Sequence, residues 1–208
     1  MKSIIAFLAL LLVPFSAFAA GEESLYAPVP PADSAFVRTV NMSDAKTAVL
    51  LDGVAFPAGE NAQVSNYSVI KQGERSLSVG DKKQPVTIEA KQYYTIAITQ
   101  DGTAKVIKDA LIEDPSKAML YFYNLSSSTN ASLAVPSHKA TVFEKVAATD
   151  SASRAINAVS VDLAVKAGET DVSTLEKVEL TRQAGTSVFL TGTAGKYAAF
   201  SVKNKVAQ

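Results

Sequence analysis

His138 is the residue whose type best suits acid–base chemistry, because it is the sole histidine of the 208-residue chain. It stands in the polar segment Pro136-Ser137-His138-Lys139, which is typical of a solvated loop. Acyl transfer or hydrolysis through a hydroxyl group needs a base held beside the nucleophile. The chain has no G-x-S-x-G elbow, and no histidine occupies the corresponding part of its first half. The sequence therefore predicts no catalytic triad and favours a protein that is not an enzyme.

Metal and cofactor chemistry has equally few candidate ligands. A structural zinc site requires several cysteine or histidine ligands, and the chain has no cysteine and one histidine. The acidic groups at 113–114 and 168–171 lack the alternating oxygen ligands of a calcium loop. Glycines occur singly at predicted turns, so they form no cradle for a phosphate. We expect neither a metal nor a cofactor.

Consecutive aromatic residues offer a different chemistry, the stacking of rings on a ligand. Tyr121, Phe122 and Tyr123 are adjacent, so on a strand their rings alternate and at least one faces outward or into a groove. Ordinary packing in the core and at sheet edges is the preferred explanation. Stacking on sugar rings is the alternative, with Tyr121 and Tyr123 as candidate carbohydrate contacts.

An internal repeat defines the elements that position these side chains. Residues 34–43 (SAFVRTVNMS) reappear 83 positions later as residues 117–126 (KAMLYFYNLS). Residues 86–99 (VTIEAKQYYTIAIT) align with residues 178–191 (VELTRQAGTSVFLT), now at an offset of 92. A repeat at nearly fixed offset predicts two copies of one small domain, with nine extra residues in the second. Duplication favours a scaffold or binding protein, since one active site does not need two copies of its frame.

The residue pattern between the repeats predicts an all-β fold. Short runs rich in Val, Ile, Tyr, Phe and Thr are separated by turn pairs such as Asp52-Gly53 and Asp101-Gly102. Apolar and polar residues alternate within several runs, as in antiparallel sandwiches. We predict two tandem antiparallel β-sandwich domains at 34–108 and 117–208, joined by a linker at 109–116. Asn41 and Asn124, which close the repeated strand, are expected to begin the same strand-ending turn twice.

The first 33 residues are set apart from these domains. Lys2, the apolar run from Ile4 to Val13 and the Ala17-Phe18-Ala19 site predict a secretory signal peptide over 1–19, cleaved after Ala19. Residues 20–33 contain three prolines and no periodicity, which indicates an extended arm. No later apolar run reaches the roughly 20 residues of a membrane span. The mature protein is therefore expected outside the cytoplasm, without a transmembrane segment.

Composition narrows the classes of partner. Without cysteine the domains rely on apolar burial instead of disulfides. Loss of Lys2 with the signal peptide leaves 19 basic and 20 acidic side chains, so the mature chain carries a net charge of minus one. This balance excludes the basic excess that holds nucleic acid by counterion release.

The segment LYAPVPPADSAFVRTVNMS, starting at Leu25, resembles the amino-terminal signature of the AlgF family, periplasmic accessory proteins of alginate O-acetylation. The resemblance rests on Leu25, Tyr26 and Pro28, followed by the segment from Ser34 to Arg38 and by Asn41. It resumes in the second half of the chain, at Asn124-Leu125-Ser126, Arg154, Ile156 and Asn157.

The resemblance implies a non-catalytic periplasmic adaptor with two β-sandwich domains. Such an adaptor would link a membrane-bound O-acyltransferase complex, which exports acetyl groups, to a periplasmic O-acetyltransferase that modifies an alginate-type exopolysaccharide. The polysaccharide itself is a further candidate partner. The expected partner contacts are a docking arm, Arg38 beside it, and a loop of the second unit, with the residues Leu25, Tyr26, Pro28, Arg38, Arg154 and Asn157. The alternative is a carbohydrate-binding module that holds the nascent polymer through exposed Tyr121 and Tyr123.

Overall fold

A computed structural model describes residues 29–43, 48–56 and 63–207 of the chain. These residues form β-strands and one short 3-10 helix, Pro136–His138. The strands of the first domain are β1 (Ser34–Asn41), β2 (Val49–Leu51), β3 (Val54–Phe56), β4 (Gln63–Val64), β5 (Ser68–Lys71), β6 (Gly73–Val79), β7 (Lys82–Ile88), β8 (Tyr93–Ile98) and β9 (Ala104–Asp109). Those of the second domain are β10 (Lys117–Asn124), β11 (Ala131–Val135), β12 (Ala140–Val146), β13 (Asp150–Asn157), β14 (Val159–Ala167), β15 (Thr170–Leu180), β16 (Gly185–Thr191) and β17 (Ala198–Lys203).

Each domain is a sandwich of two sheets. In the first domain one sheet has the order β4-β1-β8-β9, with β5 also paired to β1, and the other has the order β3-β2-β6-β7. The second domain repeats this arrangement as β13-β10-β16-β17 and β12-β11-β14-β15. The all-β class and the tandem sandwich architecture expected from the sequence are therefore confirmed.

The strand registers confirm the duplication residue by residue. Phe36 of β1 lies opposite Tyr93 of β8, and its repeat equivalent Met119 of β10 lies opposite Gly185 of β16. Both pairs are parallel, so the antiparallel arrangement expected from the sequence is wrong for these two pairs, whereas the other paired strands are antiparallel. A parallel pair requires a long crossover, and in each domain the crossover passes through the opposite sheet before it returns.

Alternate residues of the repeated strand fill the two domain cores. Ala35 and Val37 of β1 point into the first core, and Leu120 and Phe122 of β10 point into the second. Because side chains alternate between the faces of a strand, the residues between them point out of each sandwich. Apart from the half-buried Phe36 and Lys117, those outward residues are buried as well, so both strands must be covered on two sides along most of their length.

The short strand β3 and the longer strand β13 were not anticipated from the sequence. The segment DSASRAIN forms β13 at the edge of its sheet, although it has few β-branched or aromatic residues. Pairing along the whole of β10 compensates for this weak intrinsic preference. Arg154 and Asn157, expected in a loop, lie on this strand.

The predicted signal peptide at 1–19 and most of the predicted arm at 20–33 lie outside the described residues. At the start of the described chain, Val29 is 90% exposed, and Ser34 donates its backbone N–H to Pro31 at 2.9 Å. Among the described residues, no helix has the length and apolar character needed to cross a membrane.

Candidate functional site

The outward faces of the two repeated strands meet at the junction between the domains. This junction cluster combines the residues Val40, Met42, Ala97 and Ile107 of the first domain with Met119, Tyr121, Tyr123, Leu125 and Phe189 of the second. The Tyr123 ring stacks on Phe189 with centroids 4.8 Å apart. Burial of this apolar surface explains why the repeated strand carries large apolar or aromatic residues on both faces.

Tyr121 and Tyr123 are part of this junction and are not exposed. They are 6% and 0% exposed, because residues of the first domain cover them. Tyr121 donates its hydroxyl to the carbonyl of Ala110 at 2.7 Å, and Tyr123 donates its hydroxyl to Asp109 Oδ1 at 2.6 Å. The alternative prediction, that Tyr121 and Tyr123 are exposed and stack on sugar rings, is therefore wrong about their exposure.

Arg38 is also buried in the junction, with 1% of its surface exposed, instead of lying beside an exposed docking arm. Its Nε donates to Thr95 Oγ1 at 2.9 Å within the first domain. Its two terminal nitrogens donate into the second domain, and the acceptors are Asn204 Oδ1 at 2.8 Å, Tyr123 Oη at 2.9 Å and Ser187 Oγ at 2.9 Å. A side chain so enclosed joins the domains and has no surface left for a partner.

Asp109 supplies the negative charge that balances Arg38, through intervening hydroxyl groups. Asp109 is 4% exposed. It accepts hydrogen bonds from Thr95 Oγ1 at 2.7 Å, from Tyr67 Oη at 2.8 Å and from Tyr123 Oη. Thr95 and Tyr123 thus accept from the guanidinium and donate to the carboxylate. The guanidinium also lies 4.5 Å from the centroid of the Tyr67 ring.

The pKa values of this network follow from burial and charge. Burial alone lowers the pKa of Arg38, but its tyrosine neighbours and Asp109 oppose that effect, and the net pKa is raised. Burial raises the pKa of Tyr67 and Tyr123, an effect that Arg38 partly offsets. The arginine is therefore charged and the phenols are neutral across the physiological range, which is the state that the hydrogen-bond directions require.

A short backbone pairing reinforces the junction. The segment after β17 returns to the first domain, where Tyr67 donates its N–H to Lys205 at 2.8 Å and accepts from the N–H of Ala207 at 2.7 Å. Tyr67 and Val206 form a parallel bridge. Residues 205–207 thereby pair with the first domain at Tyr67, directly before β5.

The repeated asparagines close their strands as the sequence predicts. Asn41 Oδ1 accepts hydrogen bonds from the backbone N–H of Ser43 at 2.9 Å and from its hydroxyl at 2.7 Å. Asn124 Oδ1 accepts the same two bonds from Ser126, at 3.2 and 2.6 Å. The expectation of one strand-ending turn used twice is confirmed.

Two clefts border the junction on either side of the linker that connects β9 to β10. One has a volume of ≈ 650 Å³ and is lined by Tyr67, Tyr93, Tyr121 and Val206 among others. The other measures ≈ 610 Å³ and lies between β9 and β13, with a more polar lining that includes Lys108, Ser151, Ser153 and Arg154. Both domains contribute residues to the lining of each cleft.

The remaining sequence-predicted site residues differ in accessibility. Arg154 and Asn157 are exposed on β13, and Asn157 Oδ1 accepts from Lys117 Nζ at 2.6 Å. Leu25, Tyr26 and Pro28 lie outside the described residues. His138 is exposed at the end of its 3-10 helix, and its Nδ1 lies 3.0 Å from the hydroxyl of the adjacent Ser137. Within the described part of the chain, no three His, Asp or Glu side chains are grouped as metal ligands.

The charge network was not anticipated. No sequence motif marks the residues around Arg38, namely Asp109, Thr95, Ser187 and Asn204. They are also far from Arg38 in sequence, so the sequence does not show that they are close in space. One signal was available, since the apolar residues on both faces of β10 indicate a strand that is covered twice.

Two β-sandwich domains of the same topology, joined face to face through a buried charge network, define a duplicated, two-domain all-β protein. The chain belongs to the AlgF family: the family model described as "Alginate O-acetyl transferase AlgF" matches residues 7–187. A relative in Pseudomonas aeruginosa, named alginate biosynthesis protein AlgF, is 30% identical over 193 residues, which cover 92% of this chain and 89% of the relative.

Two separately solved domains of AlgF from Pseudomonas aeruginosa are also similar to parts of this chain. The C-terminal domain matches with 35% identity and a TM-score of 0.39, covering 43% of this chain and 99% of that domain. The N-terminal domain matches with 22% identity and a TM-score of 0.35, covering 39% of this chain and 100% of that domain.

Proposed function

We propose that the protein is a non-catalytic adaptor in the periplasmic O-acetylation of an alginate-type exopolysaccharide. In this role it binds a periplasmic O-acetyltransferase and the membrane-bound O-acyltransferase complex that exports acetyl groups. Membership of the AlgF family over most of the chain is the observation that carries the proposal. The signal peptide expected at 1–19 fits the periplasmic location.

The junction supports an adaptor role because it fixes two separate surfaces in one geometry. Hydrogen bonds from Arg38 reach Tyr123, Ser187 and Asn204 of the other domain, and residues 205–207 pair with Tyr67. A fixed geometry keeps two bound partners at a constant separation, and it lowers the entropy lost when both bind.

The environment of His138 supports a role without catalysis. Its ring is exposed, and the hydrogen-bond partner identified for it is the neighbouring Ser137. A general base is usually held beside its nucleophile and oriented by a third group. The acetyl transfer named in the family description is assigned here to the partner enzymes.

The test compares the polymer made by cells with the activity of the isolated protein. Deletion of the gene in its source organism should remove the O-acetyl groups of the exopolysaccharide, measured by proton NMR of the purified polymer, while polymer yield persists. The purified mature chain should bind the co-expressed acetyltransferase and should not hydrolyse 4-nitrophenyl acetate. Esterase activity that disappears in His138→Ala would contradict the proposal, as would unchanged acetylation in the deletion strain.

A further inference from the structure

We propose that the free edge of β13 in the second domain binds an extended, acidic segment of a partner protein by β-strand addition. The inference rests on the proposed adaptor function and names the docking surface that the second domain contributes to it. In strand addition, backbone hydrogen bonds supply much of the affinity, and side-chain contacts supply the specificity.

β13 is an edge strand along its whole length. It stands at the end of the order β13-β10-β16-β17, and among the described residues it pairs with β10 alone. Its eight residues, Asp150–Asn157, are all exposed or half-exposed. Edge strands are commonly protected by bulges, prolines, charged side chains or coverage. β13 carries the exposed charges of Asp150 and Arg154 but has no proline, and its pairing with β10 is regular over all eight positions.

The hydrogen bonds of β10 identify which residues of β13 face the free edge. Met119 donates its backbone N–H towards β16, to Ala184 at 3.0 Å. Successive residues of a strand direct their backbone groups to opposite sides, so Leu120 bonds towards β13, where it lies opposite Arg154. The neighbours of Arg154 in β13, Ser153 and Ala155, therefore direct N–H and C=O to the free edge.

The equivalent edge of the first domain already carries an added segment. Tyr67 directs its N–H and C=O outward, and both are bonded, to Lys205 at 2.8 Å and Ala207 at 2.7 Å. Residues 205–207 thus run beside this edge as a short parallel strand, as the bridge between Tyr67 and Val206 shows. The fold of this domain accommodates a further strand at this position.

The internal repeat maps that occupied position onto β13. Val37 lies opposite Ser68, and its repeat equivalent Leu120 lies opposite Arg154. Tyr67, one residue before Ser68, therefore corresponds to Ser153. The same two backbone groups that hold the added segment in the first domain face outward in the second.

The positive charge of Arg154 near the centre of the edge favours an acidic occupant, and Asp150 at the start of β13 is the exposed carboxylate of the strand itself. Arg154 is exposed and forms no ion pair among the described residues. Arg154 and Lys108 line the same cleft of ≈ 610 Å³. Lys108 is ion-paired to Glu89 at 2.6 Å. Glu113 is the exposed carboxylate of the cleft lining. This cleft has room for the side chains that an added strand would direct towards the first domain.

The experiment selects short random peptides displayed on phage against the immobilised mature chain. The selected peptides should alternate apolar and acidic residues, and they should slow amide exchange of Ser153 and Ala155. Ala155→Pro removes one outward N–H without affecting the bonds to β10, so it should weaken binding about tenfold or more. Val69→Pro, at the equivalent position of the first domain, is the matched control and should bind the peptides as wild type does.

A second variant keeps the test decisive if Ala155→Pro does not fold. Arg154→Glu should abolish binding of the acidic peptides, and Arg154→Lys should retain most of it. Failure to select any peptide, or equal binding by wild type and Arg154→Glu, would overturn the inference. Two further results would overturn the inference: protection of the Ser153 and Ala155 amides in the chain without peptide, or a dimer that dissociates in Ala155→Pro. In both cases the edge of β13 would be occupied by this chain itself. These readouts do not involve the acetyltransferase, so the adaptor function can fail separately.

Discussion

At the scale of single residues, Arg38 and Asp109 carry the largest electrostatic demand of the junction. Each charge is nearly fully buried, and each is satisfied through hydroxyl groups of Thr95 and Tyr123. Desolvation of two charges is costly, and it is offset when each charge keeps its hydrogen bonds and its opposite partner. The network therefore acts as a unit, and removal of one member leaves the others buried without compensation.

Asp109→Ala is expected to destabilise the protein by about 3–5 kcal/mol, because it leaves the Arg38 guanidinium buried without its counter-charge. The double variant Arg38→Met/Asp109→Leu should lose less stability than Asp109→Ala, since no unpaired charge remains. Urea unfolding followed by circular dichroism measures the free energy of unfolding of the two variants and of the wild type. Asp171→Ala, which removes an exposed carboxylate, is the control and should change stability little. Equal stability of Asp109→Ala and wild type would contradict this account.

At the scale of elements, the repeated strand explains both the duplication and the junction. β1 and β10 each contribute one face to a domain core and the other to the junction cluster. Their partners β8 and β16 are likewise buried along almost their whole length. The ordered turns at the ends of these strands hold them in register.

The β8–β9 hairpin turn gives a pH-dependent prediction. Hydrogen bonds from Thr99 and then Thr103 lower the pKa of Asp101 from its ordinary value of 3.8 to about 2. A lowered folded-state pKa stabilises the fold above pH ~4, and this contribution is lost as the pH falls towards ~2. Asp101→Asn should therefore lower the melting temperature at pH 7 but not near pH 2. Asp81→Asn, in the β6–β7 turn, controls for the loss of one surface charge. A melting temperature of Asp101→Asn that stays below that of the wild type near pH 2 would contradict the prediction.

Sequence patterns predicted the elements better than the contacts between them. The repeat and the turn pairs were sufficient for two β-sandwiches, because period-two patterning and turn chemistry are local. β13 escaped prediction because DSASRAIN has low β propensity and is held by its pairing with β10. Arg38 was expected beside an exposed arm, and exposure of Tyr121 and Tyr123 stayed open as an alternative to packing, because a single strand does not show what covers its second face.

At the scale of the whole molecule, the two domains form one unit instead of two modules on a flexible tether. The junction cluster, the Arg38 network and the pairing of residues 205–207 with Tyr67 are independent restraints on the same geometry. Interfaces between domains of one chain are often small and permit relative motion. Here buried charges and a shared sheet oppose such motion, which is the property that the proposed adaptor requires.

The distance distribution between the two domains, measured by pulsed electron spin resonance, shows whether the junction holds them in one geometry. The chain has no cysteine, so spin labels at Val54→Cys and Val159→Cys, whose native side chains are 68% and 46% exposed, report on one domain each. We expect a single narrow distribution for the otherwise native chain and a broad one when Asp109→Ala is added. A broad distribution in the otherwise native chain would show that the junction does not hold the two domains in one geometry.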